Sequence, residues 1–238
     1  MPLFIPILLG SIREGRVSDK AAAYVARSVA KRGVETTIID PREYSSSTLV
    51  ERSHPEPWNS LMTKADGLII VAPEYNHGYP APLKAMIDSL HHEYLRKPAA
   101  ICGCSAGGLG GARMVEQLRQ ILIELGMVPT KSAVYFSNHM QLWNNDGSIK
   151  DPAYEGRVNT MLDELFWYAE ALACIGKVDE AFLMINKLNK YSNHLGLFSE
   201  DADMNGGQWG NFPQTYSHVG LINAVSRIAN KQDNPIFF

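Results

Sequence analysis

Cysteine is scarce in this sequence, and long apolar runs are missing from it. The three cysteines, Cys102, Cys104 and Cys174, form no CxxC pair among 238 residues, which excludes a disulfide-stapled scaffold and is typical of a reducing compartment. No run approaches the roughly 20 apolar residues of a membrane span. The short apolar stretch Phe4–Leu9 follows no lysine or arginine, and we interpret it as a buried strand rather than a signal peptide. We therefore expect a soluble, cytoplasmic protein.

An excess of either charge is also missing. Lysine and arginine number 22 against 25 aspartates and glutamates, a net charge of −3. This balance lacks the electrostatic signature of a nucleic-acid-binding or membrane-binding protein. The adjacent pair His91-His92 is interpreted as charge at a helix end rather than as metal ligands. We predict no nucleic-acid partner, no membrane partner and no resident metal.

Short apolar runs alternate with segments of helical period along the first three quarters of the chain. Strands are predicted at 3–9, 35–39, 67–72, 99–104 and 128–136. Helices are predicted at 18–32, 58–64, 82–92, 111–125 and 154–175. This alternation indicates an α/β protein with a doubly wound parallel sheet covered on both faces. Because the units stop at five, we expect the flavodoxin-like five-stranded order 2-1-3-4-5.

The pattern changes at Gly176, where glycine is a natural end for the preceding helix. We take 1–175 as the core domain and 176–238 as an appended helical segment. Within that segment, helices are predicted at about 177–194 and 214–230. An isolated pair of this kind cannot bury its apolar stripe alone. We therefore expect it to pack on the core domain or on a partner subunit.

Unusual residues follow three of the predicted strands, and all three loops must open at the carboxyl edge of the sheet, where ligands bind in this architecture. The first loop carries two hydroxyls and two guanidinium groups before a helix, which suits a phosphate: Ser11, Arg13, Arg16 and Ser18. Its alternative interpretation is a Ser18 helix cap beside two solvated arginines.

The second loop is a rigid turn that offers an aromatic ring and amides to a planar heterocycle: Pro73, Glu74, Tyr75, Asn76 and His77. The third loop, after the fourth strand, carries four glycines that leave bare backbone for a flat ligand, and its candidate contacts are Ser105, Gly107 and Gly108. The alternatives are a proline-stiffened turn with a surface tyrosine and a plain flexible turn.

The segments GSIREGR, APEYNHGYPAPLKAMID and SAGGLGGARMVEQLR resemble the three loops of the NADPH-dependent FMN reductase family, over about the first 175 residues. The resemblance implies that the four first-loop residues hold the FMN phosphate, that the second loop lies along the isoalloxazine edge, and that Ser105, Gly107 and Gly108 lie beside its other end. Many relatives have serine or asparagine where this chain has Arg16, so the choice between Arg16 and Ser18 as a phosphate contact stays open.

The same resemblance implies hydride transfer from NADPH or NADH to FMN, followed by electron delivery to an acceptor. Free flavin, a quinone, an azo dye, chromate and a ferric complex are the acceptor classes that it covers. The cofactor carries the reaction, so no catalytic side chain is nominated. His77 is the first titratable candidate near the ring, and its alternative role is a hydrogen bond within the turn. A homodimer or homotetramer is implied. The alternatives are a flavodoxin-type electron carrier and an FMN-binding protein without nicotinamide turnover, although carriers usually have a strongly acidic surface.

The tail segments LGLFSE, which ends at Glu200, and GNFPQTYSHVGLINA are similar to the C-terminal end of glycoside hydrolase family 15. That resemblance places Glu200 at the position of the family's general base. An inverting glycosidase also needs a second carboxyl group and sugar subsites. The tail is too short to supply them, so we do not expect hydrolase activity.

Overall fold

The computed structural model describes residues 3–44, 54–176, 201–202 and 208–209, with side chains up to residue 171. The chain divides into two compact units, Met1–Glu170 and Ala171–Phe238. A parallel sheet forms the centre of the first unit. Its strands are β1 (Ile7–Leu9), β2 (Ile38–Ile39), β3 (Leu68–Pro73), β4 (Pro98–Cys104), β5 (Val128–Pro129) and β6 (Val134–Phe136).

The strand order is β2-β1-β3-β4-β5, and β6 also pairs with β4. All of these pairs are parallel. This confirms the predicted flavodoxin-like order 2-1-3-4-5. The first two strands are shorter than predicted, although Ile5 and Ile7 still donate to the carbonyls of Glu35 and Thr37 at 2.8 Å. Pairing upstream of Pro6 is reduced to a single bridge between Phe4 and Glu35.

The prediction of one continuous fifth strand over 128–136 was wrong, because β5 and β6 are separate. Side chains from two helices satisfy the backbone between them. Glu164 accepts hydrogen bonds from the N–H groups of Lys131 and Ser132 at 2.5 and 2.8 Å. Arg119 donates to the carbonyl of Lys131 at 2.8 Å. These bonds replace the strand partners that the backbone would otherwise need.

The helices are α1 (Ser18–Ala30), α2 (Trp58–Lys64), α3 (Ala81–Asp88), α4 (Ala112–Glu124) and α5 (Ala153–Gly176). The third is shorter than the predicted 82–92. Ser89 ends it by donating its hydroxyl to the carbonyl of Met86 at 2.7 Å, and a short 3₁₀ helix follows at His92–Tyr94. His91 and His92 therefore do not lie in the helix as predicted, and their rings contact each other at 4.8 Å.

Apolar side chains are buried on both faces of the sheet, as predicted. On β3, Ile69 and Val71 point to one face, whereas Leu68, Ile70 and Ala72 point to the other. α1 and α5 cover the first face, and α2, α3 and α4 cover the second. The loops from β1 to α1, from β3 to α3 and from β4 to α4 leave the same edge of the sheet. The first leads to one face of the sheet, and the other two lead to the opposite face.

In the second unit the structure describes one short antiparallel pair, β7 (Asp201–Ala202) with β8 (Gln208–Trp209). The predicted helices at 177–194 and 214–230, and Glu200, lie outside the described residues. Among the helices that the structure does describe, none combines the length and apolarity of a membrane span.

Candidate functional site

The first loop leaves β1 in close contact with β3. A Cβ on Gly10 would lie 2.3 Å from the Cβ of Ala72, so only glycine allows this approach. The next residue, Ser11, is buried, and its Oγ lies 2.8 Å from the hydroxyl of Tyr75. This bond joins the first loop to the second at the carboxyl edge of the sheet.

Arg16 lies beneath the first loop and is bound to the protein itself. Its guanidinium donates to both oxygens of Asp40 at 2.9 and 2.6 Å, to Asp19 at 2.5 Å and to the carbonyl of Ser11. Four of its five N–H donors are thereby engaged. Burial alone would raise the pKa of Asp40, but hydrogen bonds from Arg16 and Arg42 outweigh it and hold this pKa well below its usual range.

The alternative interpretation of the first loop is wrong for Arg16 and Ser18 but agrees with the exposure of Arg13. Arg16 is buried rather than solvated. Ser18 is the first residue of α1 instead of its cap, and the cap position, Val17, supplies no side-chain hydrogen bond. Ser18 is also buried, and its Oγ has no hydrogen-bond partner among the residues that the structure describes. Arg13 is exposed and forms no ion pair within the described part of the chain.

The second loop is a tight turn stabilised by reciprocal backbone bonds. The N–H groups of Tyr75 and Gly78 each donate to the other residue's carbonyl at 2.9 Å. Asn76 and His77 between them have φ of 50° and 68°, the left-handed pair typical of type I′ turns. Pro73 is buried at the end of β3, and Tyr75 is 37% exposed.

Arg113, which the sequence analysis did not single out, connects this turn to α4. Its Nε and Nη2 lie 2.7 and 2.6 Å from Oε1 of Glu74, and its Nη1 lies 2.7 Å from Nε2 of His77. Because arginine only donates, Nε2 of His77 is the acceptor in this contact. The other oxygen of Glu74 is buried without a partner in the described structure. The sequence signal that could have identified Arg113 was its position, two residues after the last glycine of the third loop.

The third loop leaves part of its backbone open. Ser105 donates its hydroxyl to the carbonyl of Gly107 at 2.9 Å. A Cβ on Gly107 or Gly108 would meet nothing within 4 Å, whereas one on Gly110 would lie 2.6 Å from the Cβ of Tyr135. Packing therefore requires glycine at 110. Nothing in the described chain requires it at 107 and 108, where the bare backbone is accessible.

A cleft of about 500 Å³ opens between the first and second loops, and it is lined by Ser11, Ile12, Arg13, Glu74, Tyr75, Asn76 and Pro82. The structure thus brings together five of the residues predicted from those two loops, whereas Arg16, Ser18, Pro73 and His77 do not line this cleft. Ser105, Gly107 and Gly108 belong to the same sheet edge without lining this cleft. Within the described residues no group of three or more histidine, cysteine or acidic side chains is placed to hold a metal.

His139 is a second residue that the sequence analysis missed. Its backbone N–H donates to the carbonyl of Ser105 at 3.1 Å, so it borders the third loop. Its Nδ1 is buried without a described partner, and burial lowers the pKa of the imidazole. The residue lies beyond the predicted fifth strand, and no motif in that segment pointed to it.

A doubly wound parallel sheet with phosphate-compatible and ring-compatible loops at its carboxyl edge defines a flavodoxin-like cofactor-binding protein. The family model described as NADPH-dependent FMN reductase matches residues 5–141, and the chain belongs to that family. The match confirms the predicted enzyme class, a flavin oxidoreductase, and the predicted cofactors, FMN and NAD(P)H.

Two individual relatives agree with this family, and one solved structure agrees in fold. The chain is 31% identical over 145 residues to the NAD(P)H-dependent FMN reductase LOT6 of Saccharomyces cerevisiae, covering 52% of this chain and 75% of that protein. It is 34% identical over 134 residues to a quinone reductase of Escherichia coli K12, covering 52% and 71%. The structure of FerB, a flavoenzyme NAD(P)H:(acceptor) oxidoreductase from Paracoccus denitrificans, superposes with a TM-score of 0.59 at 23% identity, covering 70% and 98%.

A different relative bears on the glycoside hydrolase resemblance. A trehalase of Thermoplasma volcanium is 26% identical over 203 residues, which is 78% of this chain and 32% of that protein. The matched share of this chain is larger than the tail, so the match does not single out 176–238. The glucoamylase-like character of the tail stays a prediction.

Proposed function

We propose that this chain holds FMN at the carboxyl edge of its sheet, oxidises NADPH or NADH there, and reduces a small planar acceptor, with quinones as the class to test first. The meeting of the three loops at one edge is the observation that carries the proposal. When bound, FMN supplies the chemistry, since it accepts a hydride and passes the electrons on. The quinone reductase among the relatives supports the choice of acceptor.

The phosphate is assigned to the first loop. Ser18 has a buried hydroxyl without a described partner, and the uncapped start of α1 presents backbone N–H groups beside it. Arg13 lines the cleft and supplies a positive charge that has no ion-pair partner among the described residues. Arg16 has its donors engaged by carboxylates and Ser11, so we assign it to positioning the loop. Of the two candidates left open by the sequence, Ser18 is therefore our choice.

The ring is assigned to the second and third loops. The second loop supplies a rigid turn with a partly exposed tyrosine and backbone amides; its residues are Pro73, Glu74, Tyr75, Asn76 and His77. Ser105, Gly107 and Gly108 supply accessible backbone for the other end of the ring system. Ile12 and Leu109, exposed by 49% and 55%, border the site with apolar surface. That surface suits a flat apolar acceptor better than chromate or a hydrated ferric complex.

The decisive experiment is an anaerobic absorption spectrum of the full chain with FMN, before and after NADPH and then after a soluble benzoquinone. A bound-flavin spectrum that bleaches with NADPH and returns with quinone is expected. Bound flavin that neither NADPH nor NADH bleaches would instead establish the carrier alternative. A free-flavin spectrum throughout would overturn the assignment of the three loops.

We further propose that residues 1–175 form the reductase domain, that 176–238 are an extension without glycosidase activity, and that the protein is a cytoplasmic homodimer or homotetramer. The expectation that the extension packs on the core or on a partner subunit stays part of this proposal. Deleting 176–238 should then lower the melting temperature or change the oligomer measured by light scattering. Unchanged values for both would contradict it, and trehalose or maltose hydrolysis by the full chain would contradict the assignment of the tail.

A further inference from the structure

A second cleft lies beside the third loop and has no role in the function proposed above. Its volume is about 390 Å³, and it is lined by Ser137, Asn138, Gln141, Leu142, Lys150, Asp151, Tyr154 and Arg157. No lining residue is shared with the cleft between the first and second loops. It is formed by the segment after β6 and the first turns of α5.

This second cleft is adjacent to the candidate ring site. The N–H of Asn138 donates to the carbonyl of Gly107 at 3.0 Å, and the N–H of His139 donates to the carbonyl of Ser105 at 3.1 Å. The first bond joins a lining residue of the second cleft directly to the third loop, and the second bond joins the residue that follows it. A ligand that extends from the ring site past the third loop would therefore reach the second cleft.

The charge of the second cleft favours an anion. Lys150 and Arg157 are exposed, and neither forms an ion pair with any residue that the structure describes. The one carboxylate in the lining, Asp151, accepts a hydrogen bond from the N–H of Ala153 at 2.9 Å and so caps α5. Glu155, in the same turn, lines a different cavity. Two cations against one carboxylate leave a net positive charge.

Arg157 is held in place before any ligand binds. Its guanidinium carbon lies 4.5 Å from the centre of the Tyr154 ring, a cation–π contact. That ring stacks on Phe136 at 5.3 Å. The Tyr154 hydroxyl donates to the carbonyl of Tyr135 at 3.0 Å and accepts from the N–H of Ser137 at 3.1 Å. A guanidinium fixed in this way loses little further freedom when it binds a phosphate.

We infer that this second cleft binds the adenosine 2′-phosphate of NADPH, with Arg157 and Lys150 as the contacts that distinguish NADPH from NADH. The inference rests on the proposed function and adds the nucleotide preference to it. A 2′-phosphate is the one group that separates the two nucleotides, and it is a dianion near neutral pH. A planar, bidentate guanidinium beside a flexible ammonium matches that group, while the amides of Asn138 and Gln141 can donate to its remaining oxygens.

The inference is tested in two ways on the full, FMN-loaded chain. The first is kcat/KM for NADPH and for NADH in wild type, Arg157→Gln and Lys150→Gln. Each variant should lose about tenfold with NADPH, the effect of one charge-assisted hydrogen bond, and remain unchanged with NADH. Lys31→Gln is the matched control, because Lys31 is an exposed cation that lines another cavity. It should change neither value.

The second test is calorimetric titration with adenosine 2′,5′-bisphosphate and with adenosine 5′-phosphate, which requires no turnover. Wild type should bind the bisphosphate at least tenfold more tightly, and Arg157→Gln should remove the difference. Equal affinity of wild type for both ligands, or equal losses with NADPH and NADH, would overturn the inference. If neither nucleotide is oxidised, the proposed function fails, while the titration still decides on the cleft. If Arg157→Gln does not fold, Lys150→Gln, an exposed side chain, decides instead.

Discussion

Two arginines three residues apart in the first loop have opposite environments. Arg16 lies beneath the loop, with its side chain 2% exposed and bound to Asp19 and Asp40. Arg13 lies on the cleft and has no ion pair in the described structure. A buried charge that is fully paired stabilises the shape of a loop, whereas an unpaired exposed charge is available to a ligand. The same residue type therefore serves the fold at one position and, as we propose, the cofactor at the other.

The largest expected effect is a loss of stability when the ion pairs of Arg16 beneath the first loop are broken. Asp40→Asn leaves the buried Arg16 with Asp19 as its one remaining carboxylate, so we expect the free energy of unfolding to fall by about 3 kcal/mol. Urea denaturation measures this loss. Arg42→Gln is the matched control. Arg42 is the other partner of Asp40 but is 47% exposed, so its removal should cost much less than the Asp40→Asn change. Equal losses of unfolding free energy in the two variants would contradict the distinction between the buried and the exposed partner of Asp40.

On the cleft side, the expected loss is in cofactor affinity. Arg13→Gln should weaken FMN binding by about 1.5–3 kcal/mol, the contribution of a hydrogen bond to a charged group. The unfolding free energy of the FMN-free protein should change by less than about 0.5 kcal/mol. Fluorescence titration of FMN provides the first value and urea denaturation the second. An unchanged FMN affinity would show that Arg13 does not contact the phosphate.

A variant at Arg113 tests whether a third arginine both stabilises a loop and supports cofactor binding. Arg113→Met leaves the Glu74 side chain, 5% exposed, without its partner, so we expect a loss of about 1–3 kcal/mol in unfolding free energy. It also frees His77 and loosens the second loop, so FMN affinity should fall as well. Adding Glu74→Gln should restore part of the stability, because the uncompensated charge is removed. A double variant no more stable than Arg113→Met would argue against this account.

The smallest effect concerns acid sensitivity. In the folded protein the pKa of Asp40 is lowered, mainly through hydrogen bonds from Arg16 and Arg42 that outweigh the effect of burial. Its contribution to stability is therefore fully present above the ordinary aspartate pKa and is lost as pH falls toward the folded value. The stability difference between wild type and Asp40→Asn should be constant from about pH 5 to 8 and shrink below about pH 4. Urea denaturation of both proteins across this pH range measures the difference. A difference that stays constant below pH 4 would contradict the prediction.

Much of the architecture was readable from the chain itself. Apolar period and short polar loops are local properties, so they indicated the α/β class, the sheet order and the three loops, which the structure confirms. The family was recognisable because its motifs are contiguous. Strand ends were less accurate where a side chain from elsewhere satisfies the backbone, as Glu164 does between β5 and β6.

The partners of the charged side chains emerged only from folding. Arg16 resembles a phosphate ligand in the sequence, and its neutralisation by Asp40 depends on β2 lying beside β1. The contacts of Arg113 with the second loop likewise require β3 and β4 to be adjacent. Local patterns select helices, strands and loops, because propensity and periodicity act over a few residues. Which charge is buried and which remains free depends on residues distant in sequence, and these meet only in the folded protein.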